Sequence, residues 1–171
     1  MEITIKKASL EDAAAFLEFL KTVGAQTDNL TFGAEGLPIP ETDEAAFLAQ
    51  MEDSKDSVML VAKADEKIIG NASLNRLPRR MSHRGEFCIA VAKEYWNRGI
   101  GSRLLENILA FARENSFEVL DLQVRSDNVR AIRLYEKFGF QKVGTHPAFF
   151  KMDGQYIAFE YMSCSVQSSK V

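Results

Sequence analysis

Apolar and polar residues alternate over residues 2–7, Glu2-Ile3-Thr4-Ile5-Lys6-Lys7, the two-residue period of a half-buried strand. Ser9 then stands three residues before Asp12, the spacing of a capping box. Beyond it the period changes. Ala13, Phe16, Leu17 and Leu20 share one helical face, and Gly24 falls near the expected end of that helix. Residues 22–40 carry Gly, Asn and Pro at short intervals and predict a long loop. Thr42 is placed to cap a second helix with Ala46, Phe47 and Met51 at helical spacing. Residues 58–64 and 67–75 predict two strands around a tight Asp65-Glu66 turn. Residues 77–84 form a basic connection, 85–91 a strand, and 96–115 a long helix with an apolar stripe of Leu104, Leu105, Ile108, Leu109 and Ala112. Residues 119–124 predict a strand with Leu120, Leu122 and Val124 on one face, and 128–138 a helix closed by Gly139. Strands over 140–145 and 156–163 complete the chain, the last entered through Asp153-Gly154-Gln155-Tyr156.

The resulting order is β-α-α-β-β-β-α-β-α-β-β. Short turns make the early strands antiparallel, whereas the strand–helix–strand unit in the second half demands a parallel pair with a right-handed crossover. The expected fold is α/β: a mixed, mostly antiparallel sheet with helices on both faces. A single domain over residues 1–165 with a polar tail at 166–171 is expected.

Composition narrows the function classes. The chain has 171 residues, 46% hydrophobic and 26% charged, with a net charge of −3. No global positive field favours nucleic acid, and no apolar run reaches the length of a membrane span. The amino terminus lacks the basic start and apolar block of a signal peptide, which predicts a cytoplasmic protein. Cys88 and Cys164 match no metal spacing, and His83 and His146 are the only histidines, so no metal site is expected. Both cysteines read as reduced, mostly buried thiols.

The candidate chemistry begins at Asn97-Arg98-Gly99-Ile100-Gly101-Ser102, where a strand gives way to the long helix. Glycines there bare backbone N–H groups at the positive end of the helix dipole, a setting for an anion, with Arg98 and Arg103 able to add charge-assisted bonds. Two glycines at a helix start also fit close packing or a tight turn. The spacing lacks the glycines of a Walker loop, and no Lys-Ser or Lys-Thr pair follows, which disfavours a nucleotide triphosphatase.

One strand further on, Asn128-Val129-Arg130-Ala131-Ile132-Arg133-Leu134-Tyr135-Glu136-Lys137-Phe138-Gly139-Phe140 resembles a signature of the GNAT superfamily of N-acetyltransferases. That signature has an Asn opening a helix, an Ala three positions on, a Leu-Tyr pair and a closing Gly-Phe. The glycine-rich helix start resembles the family's pyrophosphate motif, with one departure. Trp96 stands where the family has Gln or Arg, so it is expected to pack under the helix start.

The resemblance implies a fold in which the strand over 86–91 splays from its parallel neighbour over 119–124. It implies an enzyme moving an acetyl group from acetyl-CoA to a primary amine by direct attack. Acetyl-CoA would be held by the backbone of Ile89, Ala90 and Val91, by Arg98, Gly99, Ile100, Gly101 and Ser102, and by Asn128 and Tyr135. Tyr135 is the implied proton donor to the coenzyme A sulfur, and the Val91 N–H a donor to the developing oxyanion. Glu86 is the first candidate base and His83 the second; an exposed strand carboxylate and a solvated loop histidine are the alternatives. Asn128 also fits a helix cap. Arg76, Arg79, Arg80 and Arg84 fit either a carboxylate-attracting patch or a solvated basic hairpin. The acceptor is a small molecule or a protein amino group, and a homodimer stays open. The rival readings are an acyl-CoA-binding sensor module of the same fold and a nucleotide-binding protein sharing a helix-start anion site.

Overall fold

The structure, a computed structural model, describes residues 2–168. Its elements follow the expected order: β1 (Ile3–Lys7), α1 (Ala13–Gln26), α2 (Glu41–Glu52), β2 (Ser57–Ala64), β3 (Lys67–Arg76), β4 (Arg84–Val91), α3 (Ile100–Glu114), β5 (Val119–Arg125), α4 (Val129–Lys137), β6 (Gln141–Met152) and β7 (Gln155–Ser165). The strands are hydrogen-bonded in the order β1-β2-β3-β4-β5-β7-β6, with β4 and β5 parallel. This is the mixed α/β fold that the pattern predicts. Two compact units are present, one of residues up to Asn75 with Ile89–Ile108, the other of Arg76–Cys88 with residues from Leu109 onward.

In the first unit β1, β2 and β3 form antiparallel pairs, with Asp65 in the left-handed region at the β2–β3 turn. Val61 and Ile68 meet Phe16, Phe19, Leu20 and Val23 of α1 and Leu48 of α2 in one core cluster. The first turns of α3 lie over the other face of β3, with Ile100 and Leu104 beside Gly70. Asp12 forms the expected capping box, accepting from the Ser9 N–H at 2.9 Å. Its buried carboxylate also meets Lys63 at 2.6 Å and Lys6 at 3.2 Å. Burial alone would raise this carboxyl, but Lys63, the Ser9 N–H and Lys6 outweigh it and hold the pKa at about 2.

Three expectations are corrected here. Gly24 lies inside α1, which continues to Gln26, so the loop begins at Thr27. A Cβ at Gly24 would collide with the Gly33 carbonyl oxygen, because the loop doubles back along the helix. Pro40 rather than Thr42 is the cap of α2, its carbonyl accepting from the Glu44 N–H at 3.2 Å. The inward face of α2 is Glu44, Leu48 and Met51, while Phe47 is 46% exposed. The run Ala45-Ala46-Phe47-Leu48-Ala49 is apolar all round, so its period marks no face.

In the second unit β5 pairs with β7 along its whole length, from Val119↔Ser165 to Arg125↔Phe159. Ile132, Tyr135 and Phe138 form the buried side of α4, and Gly139 follows with φ 98°. β6 continues to Met152, so most of the connection expected between 145 and 155 is a hairpin, turned by Asp153 and Gly154 in the left-handed region. Pro147 and a register irregularity between His146 and Phe150 obscure this strand in the sequence. Cys164 is buried, but Cys88 is exposed, against expectation. Val166, at the start of the expected tail, is buried and donates its N–H to the Glu118 carbonyl at 2.8 Å; residues 169–171 lie outside the described residues. No helix among the described residues is long and apolar enough to cross a membrane.

Candidate active site

In the first unit, β4 leads into the helix start through a short 3-10 turn, Lys93–Tyr95. The turn displaces the beginning of α3 to Ile100, four residues later than the apolar pattern predicts. Trp96 lies before the helix and donates its indole N–H to the Val91 carbonyl at 2.7 Å. That bond ties the half-buried indole back to the end of β4. The chain then passes through Asn97 at φ 60° and Gly99 at φ 75°, both left-handed. A side chain at Gly99 would meet nothing within 4 Å, so the backbone conformation, and not packing, requires glycine there.

The Arg103 N–H makes the first bond of α3, to the Gly99 carbonyl at 3.1 Å. The N–H groups of Gly99, Ile100, Gly101 and Ser102 precede it and have no carbonyl partner within the helix. Four amides thus converge where the dipole favours an anion. Arg98 is exposed, its guanidinium 5.3 Å from the Tyr95 ring centre. Arg103 is used elsewhere, donating to the Ile3 carbonyl at 3.0 Å. Ile89, Ala90 and Val91 are only half-buried, although they belong to a central strand.

In the second unit the parallel ladder between β4 and β5 has three pairs, Arg84↔Val119, Gly85↔Leu120 and Glu86↔Asp121, and then ends. Both strands continue past that point, β4 through Phe87 and Cys88 and β5 through Arg125. This is the splay that the sequence resemblance implies. Buried backbone groups need partners, so a widening parallel pair suits a ligand with amides of its own.

Tyr135 is 8% exposed and packs edge-on against Phe87 and Phe140, with ring centres 5.9 and 6.0 Å away. Its hydroxyl makes no hydrogen bond among the described residues. Burial, with a smaller contribution from Cys88, pushes this phenol well above its ordinary pKa, so it stays protonated. Glu86 is half-exposed, and strand alternation directs its side chain away from the face on which Phe87 meets Tyr135. His83 is exposed, and its carbonyl accepts from the N–H groups of Glu118 and Val119. Asn128 caps α4, accepting from the Ala131 N–H at 3.3 Å.

Arg76 and Arg84 are committed to structure. Arg76 donates to the Ser82 and Asn115 carbonyls at 2.6 and 2.7 Å and stacks 3.8 Å over Phe117. Arg84 pairs with Asp121 at 2.8 Å. Arg79 and Arg80 remain exposed. No group of metal-binding side chains occurs among the described residues.

Comparison with known proteins bears on the family and the fold. The model of the Acetyltransferase (GNAT) family matches residues 26–140. The chain belongs to that family. It is 28% identical to the L-amino acid N-acetyltransferase AaaT of Escherichia coli over 166 residues, covering 95% of this chain and 97% of that one. An acetyltransferase of the GNAT family from Streptococcus pneumoniae superposes with a TM-score of 0.92 at 29% identity, covering 96% of this chain and 99% of the other. The yncA protein of Salmonella typhimurium, solved with its cofactor acetyl-CoA, shares the fold with a TM-score of 0.84 at 20% identity over 100% of this chain and 98% of that one.

Proposed function

We propose that this acetyltransferase moves an acetyl group from acetyl-CoA to a primary amine by direct attack, with no acyl group passing onto the protein. The observation that carries the reading is the β4–β5 ladder ending at Glu86↔Asp121, beside a buried tyrosine whose hydroxyl has no partner among the described residues.

Acetyl-CoA, when bound, supplies an activated acyl group on a thiol leaving group. The chain's own residues do the rest. The amides of Gly99, Ile100, Gly101 and Ser102, with Arg98, fit the pyrophosphate. The backbone of Ile89, Ala90 and Val91 fits the amides of the pantetheine arm. The Val91 N–H fits the developing oxyanion.

A primary amine is protonated at neutral pH and must lose a proton before attack. Glu86 is the base proposed, acting directly or through water. Tyr135 stands on the other face of β4 as hydrogen-bond donor to the departing sulfur, with Asn128 at the helix start nearby in sequence. A phenol raised by burial gives up its proton reluctantly, but a thiolate in the same dry surroundings is raised as well. Its help is therefore mainly a strong hydrogen bond that becomes a proton transfer late in the reaction.

The test is calorimetric titration with CoA and with ATP, then thiol release from acetyl-CoA with a panel of amines. The panel runs from L-amino acids, the acceptor class in the AaaT name, to polyamines, aminoglycosides and peptide amino termini. CoA binding with acceleration by one class is the expected result. CoA binding without acceleration by any amine would leave an acyl-CoA-binding module, and displacement by ATP alone would refute the donor.

A further inference from the structure

Gln26 is the last residue of α1, and the loop over 27–40 leaves from it. Both ends of its side-chain amide are engaged. The Oε1 atom accepts from the Lys93 N–H at 2.8 Å, and Nε2 donates to Glu94 Oε2 at 3.0 Å. Glu94 in turn meets Lys67 of β3 at 3.4 Å. These groups hold the Lys93–Tyr95 turn that delivers the chain to the helix start.

The other fastenings of that turn come from different directions. The Ala92 N–H donates to the Ile69 carbonyl at 2.9 Å, Tyr95 packs against the core cluster, and Trp96 bonds back to Val91. Gln26 supplies the fastening from the end of α1. Past Trp96, Asn97, Arg98 and Gly99 are all exposed, two of them left-handed. The direction in which the amides of residues 99–102 are presented therefore depends on how firmly Lys93 to Trp96 is held. The loop is keyed to the same stretch of α1, since Gly33 lies against Gly24.

We propose that Gln26 is a positioning residue for the phosphate groups of the donor, tying the end of α1 and its loop to the turn that presents the amides of residues 99–102. The proposal rests on acetyl-CoA being the donor. It does not concern the chemical step, so its signature is a loss confined to donors that carry the phosphates.

The experiment compares the wild-type chain with Gln26→Ala in CoA titration, and in turnover with acetyl-CoA and with S-acetylpantetheine, a donor without phosphates. Losing two solvent-near hydrogen bonds corresponds to about a threefold to tenfold effect. The CoA Kd and acetyl-CoA KM should rise by that factor, with kcat unchanged and kcat/KM for S-acetylpantetheine unchanged. If Gln26→Ala is unstable, Gln26→Met keeps the stem and carries the same expectation. An equal loss with S-acetylpantetheine or an unchanged CoA affinity overturns the proposal. A wild-type chain that binds no CoA refutes the donor assignment instead, and the two failures are thereby distinct.

Discussion

Tyr135→Phe removes one hydroxyl from a ring packed edge-on against Phe87 and Phe140. The ring contacts survive, because phenylalanine keeps the same aromatic body. The hydroxyl makes no hydrogen bond among the described residues, so no intramolecular bond is lost from the folded state. What disappears is a polar group at a site only 8% exposed. The expected stability change lies between zero and a gain of about 1 kcal/mol, an upward shift of about 0–4 °C in Tm for a chain of this size. Turnover should move the other way, since a positioned proton donor is worth about a hundredfold or more. The raised pKa of this phenol places the expected loss at the low end, about a hundredfold. CoA affinity should hardly change. Thermal unfolding, CoA titration and thiol release read the three quantities separately. Unchanged turnover would remove Tyr135 from the chemistry, and a destabilisation above about 1 kcal/mol would mean that the hydroxyl holds the fold.

Three further perturbations follow from the same geometry. Gly101→Asp places a carboxylate in the first turn of α3, which favours the helix dipole but opposes a phosphate; CoA should bind at least about tenfold more weakly with no loss of Tm, and unchanged affinity would sink the phosphate assignment. Asp12 has a folded pKa of about 2 against an ordinary 3.8. Its contribution of about 2 kcal/mol is present above about pH 4 and lost as the pH falls through about 2. Urea unfolding at pH 6 and pH 2.5 should show that loss in the wild type and a smaller one in Asp12→Asn. Arg76→Ala strips two carbonyls and a ring of their partner and should cost about 1–3 kcal/mol in urea unfolding, without changing which amine is preferred; a change of acceptor would restore Arg76 to the acceptor site.

The order of elements was legible because each long segment carries one clear period. Leu104, Leu105, Ile108, Leu109 and Ala112 are all fully buried, as their spacing predicts. Where the period is blurred, the reading slipped: the all-apolar middle of α2 hid its inward face, and Pro147 hid the second half of β6. The positions of Gly99 and Asn128 were legible because helix ends have local chemistry. The fastenings of the phosphate turn were not. Gln26 and Lys93 are separated by most of the first unit, and nothing in the residues near either one announces the other. Cys88 shows the same gap, since a reduced cysteine is ordinarily buried, and the end of the ladder, which is a tertiary feature, leaves Cys88 exposed.

Trp96 is the only tryptophan in the chain. Its indole is bonded to the carbonyl of Val91, at the end of β4 and a few residues ahead of the four helix-start amides. Excited at the red edge of absorption, where the four tyrosines contribute little, the protein therefore emits from one place, the turn that leads to the proposed donor site. The chain carries its own optical reporter, able to follow occupancy and loosening of the turn in real time without a label, a coupled enzyme or knowledge of the acceptor.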